Sequence, residues 1–261
     1  MDGVGADVEP AASTAAGIVE AGGTAVADIS DVATVSGAES LVGTAVGQFG
    51  RIDIVINNAG VIRWAGFPDA DADNLALHLA VHVGGSFNTT RAAWPHMVDQ
   101  GYGRIVMTTS TGVLGLPTNT SYATAKGGVV GLTRSLHTAG AAHGIKVNLI
   151  APAAMTRMAG PGSDDPRMAP ELVAPMAAFL AHESCPVSGE IYTAGFGRFA
   201  RLFIASTEGY VHVGQAPTME DVARHWETIN DEAGYFVPVD LMDWSAAFMA
   251  HLGSDGASPG S

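Results

Sequence analysis

Tyr122 and Lys126 are the two residues whose types and spacing offer chemistry at neutral pH. They lie four apart in a stretch of helical pattern, residues 121–143, so both side chains leave one face of that helix. The chain carries two lysines and five tyrosines, which makes an incidental pairing uncommon. A phenol titrates near ~10 and is a poor acid or base at pH 7. An ammonium held beside it favours the phenolate; lowering the phenol by three units takes about 4 kcal/mol. A phenol tuned in this way exchanges a proton with an alcohol while a hydride leaves for a cofactor. Ser110, at the end of an apolar run just upstream, is placed to donate a hydrogen bond to the same oxygen. Tyr-x-x-x-Lys alone more often marks a solvated helix face, so the elements that carry these residues must decide.

Three short apolar runs, residues 52–56, 104–108 and 146–150, are rich in β-branched residues and lack in/out alternation. Strands covered by helices on both faces read that way. A weaker strand is expected over Thr24–Ala27 and another over Glu190–Thr193. Helix-length stretches lie between them, at 11–21, 34–49, 71–100, 121–143 and 170–183. Gly22, Gly50, Gly101 and Gly144 follow four of these, where a left-handed cap calls for glycine. Strand alternating with helix predicts an α/β, three-layer Rossmann-like fold with a mostly parallel sheet. Residues 159–170 read as a long loop of the lid or binding kind. Past Gly195 the pattern becomes mixed, with a helix opened by Thr218 and Asp221 in a variant of the capping box. We expect one domain over 1–200, an extension over 201–252 packed on it, and a disordered tail over 253–261.

Asn57-Asn58-Ala59-Gly60 follows the strand ending at Ile56, at the carboxyl edge where open α/β sheets bind ligands; alone, it also fits a tight turn. Taken in order, strand-NNAG, strand-Thr-Thr-Ser, Tyr-x-x-x-Lys and strand-Ala-Pro resemble the short-chain dehydrogenase/reductase family. The segments at 81–97, 102–110, 151–158 and 179–185 narrow the likeness. They are similar to the (3R)-hydroxyacyl-CoA dehydrogenase part of peroxisomal multifunctional enzyme type 2 and its bacterial relatives. The resemblance implies an NAD(P)-dependent oxidoreductase that moves a hydride between a secondary alcohol or ketone, 3-hydroxyacyl-CoA or steroid-like, and nicotinamide. It makes Tyr122 the general acid/base, has Lys126 hold the nicotinamide ribose, and has Ser110 orient the substrate oxygen. His82 stands where most of the family has a relay asparagine; a hydrogen-bonded interior histidine is the plainer reading. Asp31 and Val32 match a pair that contacts adenine. Asn58, Ala59 and Gly60 would line the adenosine side, with Pro152 and Thr156 facing the nicotinamide amide and phosphates. The implied cofactor is NAD, with NADP open, and the implied state is a homodimer or homotetramer through helices 71–100 and 121–143.

Two departures from the family pattern stand out. Ser110 lies one residue closer to Tyr122 than usual, which leaves Thr109 as the alternative hydroxyl. The family's opening strand, TGxxxGxG turn, helix and second strand are not in this sequence, and Gly3-Val4-Gly5 does not replace them. The reading is therefore a fold lacking the first βαβ unit of the family. It expects either a start assigned too far downstream or a truncated paralogue. In the family's strand order that loss leaves Thr24–Ala27 without neighbours and makes 52–56 an unpaired edge. The alternative function is a cofactor-deficient, non-catalytic partner subunit.

Composition bounds the rest. Twelve Lys and Arg against 26 Asp and Glu give a net charge of −14, which repels phosphate backbones and anionic lipid. The expected partner is a small-molecule substrate, with no nucleic acid and no membrane. One cysteine, Cys185, excludes a disulfide framework and a Cys-rich zinc site. No secretory leader is visible and no apolar run approaches ~20 residues, so the expected compartment is cytoplasmic. His78 and His82 are spaced for zinc but lack a third ligand at motif spacing, so core or capping roles are expected and no metal.

Overall fold

The computed structural model describes residues 8–156 and 165–252. Most of the loop expected over 159–170, Gly3-Val4-Gly5 and the tail from 253 lie outside the described residues. The chain divides into two compact units, Met1–Arg201 and Leu202–Ser261.

The first unit opens with helices α1 (Glu9–Glu20) and α2 (Val35–Phe49), then strand β1 (Ile54–Asn57). Helix α3 (Ala72–His78), a π-helical turn (Leu79–Gly84) and α4 (Gly85–Gln100) run on without a break. They are followed by β2 (Gly103–Thr108), α5 (Thr120–Gly140), β3 (Ile145–Pro152), α6 (Ala174–Ala181), β4 (Ile191–Gly195) and β5 (Arg198–Leu202). The sheet order is β1-β2-β3-β4-β5, and the first four strands are parallel. Only Phe196 and Gly197 join β4 to β5, both at positive φ, and a connection that short permits only antiparallel pairing.

The β2 and β3 runs are buried throughout their centres, as an unbroken apolar pattern requires. Val106, Ile150, Leu180 and Cys185 form the core beneath α6. Alternation along β2 sends Ile105 and Met107 to the opposite face, which α4 and α5 cover. Gly50, Gly101 and Gly144 end their helices in the left-handed conformation, as their positions predict.

Three expectations need correction. Residues 24–27 form no strand. The segment is extended chain without ladder partners, and strand propensity describes fit to a neighbouring strand that is not there. β1 is the sheet edge expected of 52–56, but helices do not cover both its faces as its apolar run suggested: Ile54 and Ile56 are 47% and 49% exposed. The helix expected over 71–100 contains the π turn, a one-residue insertion that the apolar period does not register.

The second unit holds α7 (Met219–Arg224), α8 (Trp226–Ile229) and α9 (Leu241–Phe248). The Thr218–Asp221 capping box at α7 is present in both directions. Ser206 and Phe236 form an isolated antiparallel bridge, and none of the unit's described residues is buried. Among the described residues, no helix is long and apolar enough to cross a membrane.

Candidate active site

β1 ends at Asn57, β2 at Thr108 and β3 at Pro152, and these three carboxyl ends frame a cleft of about 320 Å³. Asn57 turns inward and donates to Thr90 Oγ1 (3.1 Å) and Met107 Sδ (3.2 Å), which fixes the turn that follows. Asn58 turns toward the neighbouring strand and accepts from Thr108 Oγ1 at 3.2 Å, tying the two strand ends together.

Helix α5 carries both Tyr122 and Lys126. Buried Asn119 caps it, accepting from the Tyr122 amide at 3.2 Å, so the helix starts in a fixed register three residues before the phenol. One turn on, the Lys126 ammonium donates to the Thr108 carbonyl at 2.7 Å and lies 5.6 Å from the centre of the Tyr122 ring. The Ser110 hydroxyl lies beside the phenol on the cleft wall and accepts from the Gly112 amide at 3.0 Å. Thr109 is buried, and its hydroxyl donates to the Lys126 carbonyl at 2.9 Å. Of the two neighbouring hydroxyls, the fold brings Ser110 to the phenol and commits Thr109 to the backbone of α5.

The π turn brings His82 to the same place. Its Nε2 lies 2.8 Å from the Val61 carbonyl, which can only accept, so this nitrogen carries the proton. Nδ1 is then a bare acceptor, buried and without a partner. The ring meets Tyr122 edge-on at 5.3 Å and stacks on His78 at 6.0 Å. His78 donates from Nδ1 to the Asn74 carbonyl (2.7 Å) and accepts at Nε2 from the Arg63 amide (3.3 Å). With both nitrogens engaged to the backbone, His78 has the core role expected of it.

Burial, aided by the nearby Lys126 charge, pushes His82 down to about 4 and keeps it neutral at pH 7. Burial also lowers Lys126 to about 8, which leaves it mainly charged at neutral pH. Tyr122 departs from expectation. Burial raises the phenol, and the neighbouring Ser110 hydroxyl offsets this in part. The phenol expected to be acidified by its lysine is instead held protonated, because the ammonium is turned to a backbone carbonyl while the hydroxyl loses water.

Gly60, Pro152 and Thr156 line the cleft with Tyr122 and Lys126. Val32, Asn58 and Ala59 line a second cavity of about 110 Å³ that shares Asn58 with the first. Asp31 lines neither. Its carboxylate accepts from the Ala33 amide at 3.0 Å on the exposed turn before α2. Sequence reasoning missed Asn74 and Asn119, and also Ile62 and Leu116 on the cleft wall, where Trp64 joins them. The helix-capping signature of Asn119 was readable; nothing local marked the others.

The short chain dehydrogenase family model matches residues 3–166, a span that takes in Asn58, Ser110, Tyr122 and Lys126. The chain belongs to the short-chain dehydrogenase/reductase family. Rv0148 of Mycobacterium tuberculosis, a short-chain type dehydrogenase/reductase, is 38% identical over 89% of this chain and 82% of its own length. Peroxisomal multifunctional enzyme type 2 of Mus musculus is 36% identical over 98% of this chain. The chain spans only 36% of that mouse protein. The structure of full-length peroxisomal multifunctional enzyme type 2 from Drosophila melanogaster superimposes with a TM-score of 0.81 at 28% identity. The match covers 94% of this chain and 44% of that one. A short-chain dehydrogenase from Mycobacterium avium gives 0.71 at 31% identity, covering 84% and 80%. The protein is thus an oxidoreductase of this family, related to the peroxisomal multifunctional enzymes, and the family uses NAD or NADP.

The donor set suits one end of such a dinucleotide. A buried ammonium keeps N–H groups beyond the one given to Thr108, and Asn58 and Pro152 flank it. No described residue supplies a glycine-rich turn at a helix amino end for the phosphates.

Proposed function

We propose that this chain catalyses NAD(P)-linked interconversion of a secondary alcohol and a ketone, with Tyr122 passing the proton. The observation that supports it is the meeting of the Tyr122 hydroxyl, Ser110 and the buried Lys126 ammonium at the carboxyl edge of a parallel sheet. NAD, or NADP, supplies the hydride acceptor or donor. Ser110 donates to the substrate oxygen and holds it against the phenol. Tyr122, protonated at neutral pH, gives its proton to the oxygen of a ketone and takes one from an alcohol in the reverse direction. Lys126 holds the ribose and offers positive charge to the phenolate that results. His82 takes the relay position of the family, its neutral ring edge-on to the phenol. The likeness to the multifunctional enzymes points to a 3-hydroxyacyl-CoA or steroid-like substrate. The assembly in this reading is a homodimer or homotetramer through helices 71–100 and 121–143. An outward groove of about 850 Å³ lined by Phe87, Arg91 and Trp94 of α4 and Leu136 of α5 supports it.

Tyr122→Phe removes the proton donor and little else. In a coupled assay it is expected to lower kcat by about 10²–10⁴, leaving the melting temperature and saturable NADH binding by fluorescence transfer unchanged. Undiminished turnover removes Tyr122 from the chemistry.

A further inference from the structure

We propose that Asn74 and His78 are positioning residues: with His82 they hold the loop between β1 and α3 at a fixed distance from Tyr122, and so set the grip of the cleft on its ligand. The inference rests on the oxidoreductase reading of the cleft and adds residues which that reading does not use. The loop lends Asn58, Gly60, Ile62 and Trp64 to the cleft that Ser110, Tyr122 and Lys126 also line. Its ends are fixed by their surroundings. Asn57 and Asn58 are bonded at the strand ends, and a Cβ on Gly66 would collide with the Pro117 carbonyl oxygen.

Between those ends, residues 59–65 belong to no helix or strand. Among the described residues, three side chains make all the hydrogen bonds to that stretch of backbone. Asn74 Nδ2 donates to the Arg63 carbonyl at 3.0 Å. His78 Nε2 accepts from the Arg63 amide at 3.3 Å, and His82 Nε2 donates to the Val61 carbonyl at 2.8 Å. The three are spaced four apart along α3 and the π turn, and all are buried. The same row meets the phenol, with the His78 and His82 rings edge-on to Tyr122 at 6.1 and 5.3 Å. Packing alone does not call for these residue types. Buried polar groups destabilise a core unless bonded, and the grip on Arg63 leaves Asn74 Oδ1 bare. Leucines would fill the stripe without that cost, but they would leave the loop backbone unheld. Tyr122 and Lys126 are placed by other contacts, the Asn119 cap and the Thr108 carbonyl. Releasing the loop therefore weakens binding while the proton-transferring groups stay in place, which raises KM and spares kcat.

The test uses the full chain with NADH, acetoacetyl-CoA as the ketone, and hydrogen exchange of segment 58–66 read by mass spectrometry. His78→Leu should weaken NADH binding about fivefold, the worth of one such hydrogen bond. The KM for NADH should rise in step while kcat stays within about twofold. Exchange in 58–66 should quicken about tenfold while α5 keeps its protection. His78→Gln, whose side-chain oxygen can accept from the Arg63 amide, should restore most of each loss. Asn74→Leu gives the same readouts if His78→Leu does not fold. Three results overturn the proposal: NADH binding and loop exchange unchanged in His78→Leu, kcat lost with KM unmoved, or a glutamine variant no better than the leucine one. An unaltered chain that neither binds NADH nor reduces the ketone, yet loses loop protection in His78→Leu, keeps the clamp and sinks the oxidoreductase reading. Turnover by the unaltered chain, with loop exchange and KM indifferent to His78→Leu, does the reverse.

Discussion

At the scale of single residues, the site is governed by burial more than by the attraction between its charges. His82 shows this most directly, since it lies neutral against Tyr122 with its proton fixed on Nε2. Its folded value of about 4 lies below the ordinary 6.5, so the unfolded chain binds the extra proton between those limits. Stability should therefore fall as the pH drops from 6.5 toward 4, by about 3 kcal/mol from this residue. His82→Asn keeps a donor for Val61 but cannot titrate, and urea midpoints at pH 7 and 4.5 should show the slope flattened. An unchanged slope would place the acid sensitivity elsewhere. Tyr122 and Lys126 were legible from type and spacing, and the hydroxyl beside them was narrowed to Ser110 or Thr109. The protonation balance of the phenol was not, because desolvation depends on neighbours that spacing does not specify.

At the scale of elements, two details of helix geometry decide whether those residues meet. The first is the start of α5, where Asn119 sets the register of Tyr122 and hence of Lys126. Asn119→Ala should cost about 1 kcal/mol, or a melting-temperature loss of about 2–4 °C for a chain of this size. Asn119→Asp should recover most of it, because a carboxylate accepts the same amide hydrogen bond. Calorimetry of the three proteins checks this, and equal loss in both variants would show that packing matters and the cap does not. The second is the π turn after α3, which adds a residue to the turn and carries His82 round toward Val61 and Tyr122. Caps leave a mark in sequence because they need particular residue types at particular places. A π insertion needs none, so the run over 71–100 reads as one helix.

At the scale of the whole molecule, the sheet ends at β1 with one face open, and that edge bears on how the protein behaves in solution. Exposed hydrophobic edges invite pairing between chains. Ile54→Lys, on the open face, should leave the melting temperature within about 2 °C and reduce light scattering at high concentration. A drop of several degrees would show that something covers that face. The sequence by itself determined the alternation of strand and helix over 52–195, the parallel sheet, the family and the pairing of Tyr122 with Lys126. Those follow from local periodicity, from glycine at helix ends, and from a four-residue spacing that puts two side chains on one helix face whatever the packing. The tertiary structure alone decided that 24–27 is not a strand, that Asp31 stays outside both cavities, that Ser110 and not Thr109 meets the phenol, and that Trp64 walls the cleft. Each of these depends on contacts between residues distant in the chain. Pairing, burial and hydrogen bonding to a far carbonyl exist only once the chain has closed on itself.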